Sequence, residues 1–371
     1  MTTRRDRLLR KYGRPETWNF DESKINRDGD GQFAPKGTSG GGAADDAGGG
    51  TATAEEPKAG GGDLRSLLDL VGPASSRPSF NEAEVAKADQ KIASLNMKDE
   101  SAGAAFAAAT ADHPYTQEIN RRFAAVAAAM PDGRPLTEYS KVMNSDSSGN
   151  YTPERRALHE KIMDKMVNPA SKVKPGAKPQ AVILMGPPGS GKTTAAQKPI
   201  MKDLGVEFSI LNADDVKAEL PEYDGWNAAV THEESSDVIE NDLIPRLIEE
   251  ADHNVMLDVT GGNAKKLERW AAALKEKGYD VHLSSVSLPS QKSATRAWGR
   301  LTKNPFSTKD PGGEPGRFVP PGYVVGKFKS DTMRANYDTL KNSGQFKSWR
   351  NVSTDVPLGQ KAIPLDQGGT R

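Results

Sequence analysis

The spacing of apolar residues along this chain changes character near residue 176. From 63 to 175 they recur at helical intervals in a polar background, and candidate helices cover 81–95, 102–111, 116–130 and 154–166. In the last of these Leu158, Ile162 and Met166 fall at i, i+4 and i+8, behind a Thr152-Pro153 cap and first-turn proline. Asn81 is a candidate cap for the first. The alanine-rich pieces have high helix propensity but little bulk, so 63–175 is expected as a loosely packed helical extension. Beyond a turn-rich linker at 173–179 the pattern alternates. Short apolar runs at 181–185, 206–211, 254–259 and 280–288 are separated by helical stretches at 230–251, 264–277 and 289–301. A helix over 323–341 then precedes an edge strand at 348–352. Strands alternating with helices predict an α/β domain over 176–355, a parallel sheet sandwiched by helices.

Elsewhere the periodicity fades. Residues 37–62 form a Gly/Ala/Thr tract that cannot bury enough surface to offset its ordering entropy, and read as a disordered linker. Residues 1–36 are a polar N-terminal segment, and 356–371 read as a flexible tail. The run Asn26-Arg27-Asp28-Gly29-Asp30-Gly31 resembles the start of a calcium loop. Its twelfth position is Gly37 rather than a bidentate glutamate, so an exposed Asp/Gly turn is the better reading.

The first apolar run leads into Gly186-Pro187-Pro188-Gly189-Ser190-Gly191-Lys192-Thr193, a full match to the P-loop pattern G-x-x-x-x-G-K-[ST]. Glycines let the backbone close around a polyphosphate with its N–H groups pointing inward, and the helix that follows adds its unpaired amides. Lys192 is expected on the β- and γ-phosphates and the Thr193 hydroxyl on Mg²⁺, with Thr194 beside it. The implied cofactors are ATP and Mg²⁺.

Three further groups narrow the chemistry to phosphoryl transfer. After the second strand comes Asn212-Ala213-Asp214-Asp215-Val216-Lys217, at the carboxyl end where ligands of open α/β sheets bind. A carboxylate there either accepts the proton of an attacking hydroxyl or caps the next helix. Strand phase puts Asp214 rather than Asp215 on the cleft side. The third strand closes on Asp258 like a Walker B strand, a second candidate Mg²⁺ ligand, with Thr260 and Asn263 as candidate substrate or water-orienting groups. Arg296 and Arg300 share a helix face at i, i+4, and Arg317 follows. An arginine pair at that spacing is either a solvated face or, near a P-loop, a stabiliser of charge on the transferring phosphate.

Composition trims the alternatives. Lys+Arg and Asp+Glu are both 50, which argues against a general nucleic-acid or anionic-membrane binder. There is no cysteine, so no disulfide or thiolate metal site. No apolar run reaches the ~18–20 residues of a membrane span and no signal-peptide core follows Met1, so a cytoplasmic location is expected.

Residues 176 to about 325 resemble the zeta toxins, P-loop kinases of bacterial toxin–antitoxin systems. The likeness is carried by GPPGSGKT, by Asn-Ala-Asp-Asp-Val-Lys, by Thr231-His232-Glu233-Glu234-Ser235-Ser236 and by the arginine series ending Gly316-Arg317-Phe318-Val319-Pro320. The resemblance implies Asp214 as catalytic base, Lys192 as the phosphate lysine, Arg300 and Arg317 as γ-phosphate arginines and Arg296 among the ATP contacts. His232, Asp258, Thr260 and Asn263 fall with the substrate. Asp258 and Thr260 stand where the family usually has Glu-Gly-Thr. Family members phosphorylate UDP-N-acetyl amino sugars, so a nucleotide-sugar acceptor and an antitoxin partner are implied. The tract from Arg27 to Gly37 resembles segments of actinobacterial phage structural proteins, pointing to a phage or mobile-element origin. Two alternatives stand beside a zeta-type kinase: a kinase for another hydroxylated compound such as an antibiotic or nucleotide, and a phage structural or delivery protein carrying the P-loop domain as payload.

Overall fold

Strand β1 (Gln180–Met185) is the axis of the molecule, and its residues from Ala181 to Met185 are fully buried. A strand apolar on both faces requires cover on both faces, and the chain supplies it. The computed structural model describes residues 78–128, 130, 134–306, 316–357 and 359–369. The polar segment 1–36 with its Asp/Gly turn, and the Gly-rich tract 37–62, lie outside the described residues.

The sheet runs β2 (Ser209–Leu211), β3 (Val255–Val259), β1, β4 (Asp280–Ser287), β5 (Ser348–Ser353), β6 (Ile363–Gly369). The first five are parallel, and β6 is antiparallel to β5. The expected α/β sandwich is therefore present. Because the chain leaves β1 for β2 and β3 on one side and returns to β4 on the other, the strand order reverses at the carboxyl end of β1, where α/β folds bind ligands.

Helices α1 (Glu82–Ala93), α2 (Ala102–Ala111), α3 (Pro114–Ala128), α4 (Tyr139–Met143) and α5 (Pro153–Met166) form the extension. Their caps follow the sequence: Asn81 accepts from the Ala83 N–H, and Thr152 from the Arg155 N–H. The expectation of loose packing is corrected. Phe106, Ile119 and Ile162 are buried in the same core as Ile183, Met185 and Leu257 of the sheet. The small residues that looked too slight for a core permit close approach instead: a Cβ on Gly103 would sit 3.0 Å from Cγ1 of Val325. Replacing Ile119 by alanine should cost about 2–5 kcal/mol. If the core is continuous, thermal melting of that variant shifts as one transition, whereas an independent extension would melt separately and leave the rest unmoved.

Beyond β1 come α6 (Lys198–Leu204), α7 (Ala213–Glu219), α8 (His232–Asp237), α9 (Ile244–Glu249), α10 (Ala264–Glu276), α11 (Ser290–Lys303), α12 (Pro321–Lys327) and α13 (Ser330–Lys341). A π-helical segment, Val238–Leu243, joins α8 to α9. Three expectations at the C-terminal end are corrected. The single helix 323–341 is two, α12 and α13, broken where Phe328 leaves helical geometry (φ −112°, ψ 40°) to bury its ring completely. The strand at 348–352 is not the edge, because β6 pairs with it. Residues 356–371, expected as a tail, contain that strand. Its polar composition hid it, since most of its side chains face solvent and its pairing is made by backbone.

Candidate functional site

The loop after β1 is built by its glycines. Gly189 and Gly191 have φ of +73° and +77°, a region that disfavours side chains. At Gly186 a Cβ would meet the Val286 carbonyl oxygen at 2.8 Å. Helix α11 and the residues after β5 brace the loop from outside. Ser293 Oγ donates to the Pro188 carbonyl at 2.6 Å, Thr354 Oγ1 donates to the Ser190 carbonyl at 2.8 Å, and an Arg296 guanidinium N–H reaches the Thr354 carbonyl at 2.9 Å. The chain then enters a π-helical turn, Thr193–Gln197, with Thr193 and Thr194 exposed on it.

Lys192 folds back over this loop. Its Nζ donates to the Gly186 carbonyl at 2.9 Å and lies 3.4 Å from Oδ1 of Asp258 at the end of β3. The other Asp258 oxygen accepts from Gln197 Nε2 at 2.7 Å. Burial raises the Asp258 pKa, and the Lys192 ammonium partly offsets this.

On the facing wall Asn212 caps α7 by accepting the Asp214 N–H at 2.9 Å, which leaves Asp214 free of that duty. Its carboxylate lies 3.3 Å from Lys217 Nζ and pairs directly with the Arg317 guanidinium. Burial opposes its ionisation, but Arg317 and Lys217 outweigh burial and hold its pKa well below the usual carboxylate range. The strand-phase argument for Asp214 is corrected: β2 ends at Leu211, so Asp214 is placed by the first turn of a helix, with Asp215 exposed at the rim. His232, first residue of α8, lies 3.4 Å from Lys217 Nζ through its Nδ1. Burial and the Lys217 charge push its pKa down to about 3, so the ring is neutral near pH 7. Helix α8 is itself anchored by a buried cluster in which Arg155 and His159 of α5 meet Glu234.

These walls enclose one cleft of about 1520 Å³, which also takes in Thr260, Asn263 and Arg300. Asn263 has a structural duty, capping α10 by accepting the Lys266 N–H at 3.0 Å. Arg300 is exposed on α11.

A model of the zeta toxin family matches residues 163–356, just over half of the chain. The chain belongs to the zeta toxin family. Zeta toxins are ATP-dependent kinases, and the fold seen here is a P-loop kinase fold. Among solved structures, that of the PezAT chromosomal toxin–antitoxin system of Streptococcus pneumoniae aligns at 18% identity and TM-score 0.44, over 59% of this chain and 83% of that one. The AvrRxo1-ORF1:-ORF2 complex with ATP aligns at 21% and TM-score 0.45, over 64% and 72%. The ATP-dependent zinc metalloprotease FtsH of Halothermothrix orenii is 35% identical over 81 residues, 22% of this chain. The chain spans only 12% of that protein.

Several residues that line or brace the cleft carry roles that the sequence did not assign to them. Lys217 stands three residues after Asp214, a spacing that signals a shared helix face. Gln197 and Thr354 act through contacts made only by the fold. Glu240 and Lys266 form an ion pair across the cleft wall from separate elements, and no local pattern announces it. Among the described residues, no helix is long and apolar enough to cross a membrane.

Proposed function

We propose that this protein transfers the γ-phosphoryl group of ATP to a hydroxyl of a UDP-N-acetyl amino sugar. The observation that carries the reading is the meeting, in one cleft, of the glycine loop with Lys192 and the Asp214–Arg317 pair. The loop amides and Lys192 would hold the β- and γ-phosphates. The acceptor oxygen attacks phosphorus, the bond to the β-phosphate oxygen breaks, ADP leaves and the hydroxyl proton passes to Asp214. Arg317 is shared: a γ-phosphate that draws its guanidinium frees Asp214 to meet the hydroxyl, while Arg300 adds charge from the α11 side. His232, neutral beside Lys217, and Thr260 both line the cleft, from where they would contact the acceptor. Thr193 and Asp258 offer hard oxygens of the kind Mg²⁺ takes, and the ion would neutralise phosphate charge. Both Asp258 oxygens already have partners in Lys192 and Gln197, which favours contact through water.

A second reading, phosphorylation of a different small hydroxylated compound, is favoured by Asp258 standing where the family usually has glutamate. Its carboxylate is one methylene shorter. An antitoxin partner and a cytoplasmic site of action belong to the first reading. The test is incubation of the full chain with ATP, Mg²⁺ and a panel of UDP-N-acetyl amino sugars, nucleosides and aminoglycosides, followed by mass spectrometry. One phosphate gained on a UDP-N-acetyl sugar is the expected result. A gain on another acceptor alone selects the second reading, and no gain on any acceptor defeats both.

A further inference from the structure

Most of the helical extension precedes the family match, yet one side chain from that part reaches to within a helix turn of the phosphate loop. Glu100, in the turn before α2, accepts two backbone N–H groups through the same carboxylate oxygen: that of Ser290 at 3.0 Å and that of Ser330 at 3.0 Å. The Ser330 hydroxyl donates to it as well, at 3.1 Å. Ser290 opens α11 and Ser330 opens α13, so one carboxylate oxygen accepts the first N–H of two helices, each otherwise unpaired within its own helix. Neither helix start has a side-chain cap of its own.

Helix α11 carries this restraint directly to the nucleotide loop. One turn beyond Ser290, Ser293 bonds the Pro188 carbonyl. One position short of the next turn, Arg296 packs so closely on the loop that a Cβ on Gly189 would come within 3.0 Å of its own Cβ. Other contacts hold α11 to the extension further along its length: Gln291 Nε2 reaches the Met97 carbonyl at 3.5 Å in the first turn, and the His113 ring meets the Trp298 ring edge-on at 5.0 Å two turns on.

We infer that Glu100 is a positioning residue for ATP binding, setting the height of α11 against the phosphate loop from outside the family domain. This rests on the kinase reading above only for where ATP sits; it does not depend on the acceptor. Reach, rather than charge alone, is what the geometry demands. Glutamine keeps the reach and an acceptor oxygen, whereas aspartate keeps the charge and withdraws it by one methylene.

The experiment measures ATP affinity by calorimetry on the full chain, with hydrogen exchange at the Ser290 and Ser330 amides. Glu100→Asp should weaken ATP binding roughly tenfold, the size expected for losing a hydrogen bond to a charged group, and should speed exchange at both amides. Glu100→Gln should stay within about threefold of the parent, because a neutral acceptor retains part of the bond. In turnover assays the loss should fall on KM for ATP, with kcat and KM for the acceptor little changed. The inference is overturned if Glu100→Asp binds ATP like the parent, if Glu100→Gln is the weaker of the two, or if both lose only melting temperature. Failure of the kinase reading looks different: parent protein that binds ATP and transfers nothing.

Discussion

Replacing Lys192 by alanine should abolish phosphoryl transfer and leave the fold standing. The side chain carries no share of the core: it spans the cleft floor between the Gly186 carbonyl and Asp258. In turnover it supplies positive charge where the transferring phosphate gathers negative charge, and removing one preorganised group of this kind costs about 10²–10³-fold. Loss of the lysine also leaves the buried Asp258 without its nearest cation, raising its pKa further and weakening any hold on Mg²⁺. The two losses act on the same step, so activity should fall below detection while the melting curve stays within a few degrees of the parent. Near-parental turnover by the alanine variant would show that the P-loop has no part in the chemistry. Expression in a bacterium that makes UDP-N-acetylglucosamine carries the same contrast: the parent should arrest growth and Lys192→Ala should not.

The second large effect is expected at Asp214. Losing a positioned proton acceptor typically costs ~10²–10⁴ in rate. Asp214→Asn should therefore lose most of kcat while still binding ATP, and Asp215→Asn, changed at an exposed position, should keep activity. Stability adds a signature. The Asp214 pKa is depressed in the folded protein, so its charge stabilises the fold above the unfolded carboxylate pKa of ~3.9 and that contribution is lost as pH falls below it. Its side chain is a third exposed, so solvent screens the effect and the melting difference should be small. That difference should be present at pH 7 and close under acid conditions. A normally active Asp214→Asn beside an inactive Asp215→Asn would reverse the assignment.

What could be read from the sequence was what is encoded locally. The phosphate loop is eight contiguous residues with fixed conformational demands, and Asn81 and Thr152 announce their helices because a cap and its helix are neighbours. Asp214 was expected in the cleft from its position after a strand and lines it, although the phase argument failed: three residues of β2 are too few to carry an alternation through to 214. Pairings across the fold were not readable. Nothing near Glu240 indicates that Lys266 lies opposite, and nothing near Glu100 indicates two helix starts converging on it. The same limit explains the misjudged extension. Burial of Phe106 or Ile119 depends on what the fold places against them, and a window of alanines says only that something can come close. The split of α12 from α13 likewise follows from where the Phe328 ring finds its pocket.

Strand β6 has a consequence for behaviour at high concentration. A parallel sheet ending at β5 would offer its neighbours a bare row of backbone donors and acceptors, the template on which chains add to one another. Instead the polypeptide folds back antiparallel, with a register shift at Asn351/Val352 that interrupts the ladder. The covering strand contains Pro364, which has no N–H to offer, and Gly368 pressed against the Trp349 indole so closely that a Cβ would lie 2.7 Å from it. This is a poor surface for a seventh strand from another molecule. Fusion partners or cuts that peel residues 363–369 away would remove that guard, and the first symptom should be precipitation rather than loss of catalysis.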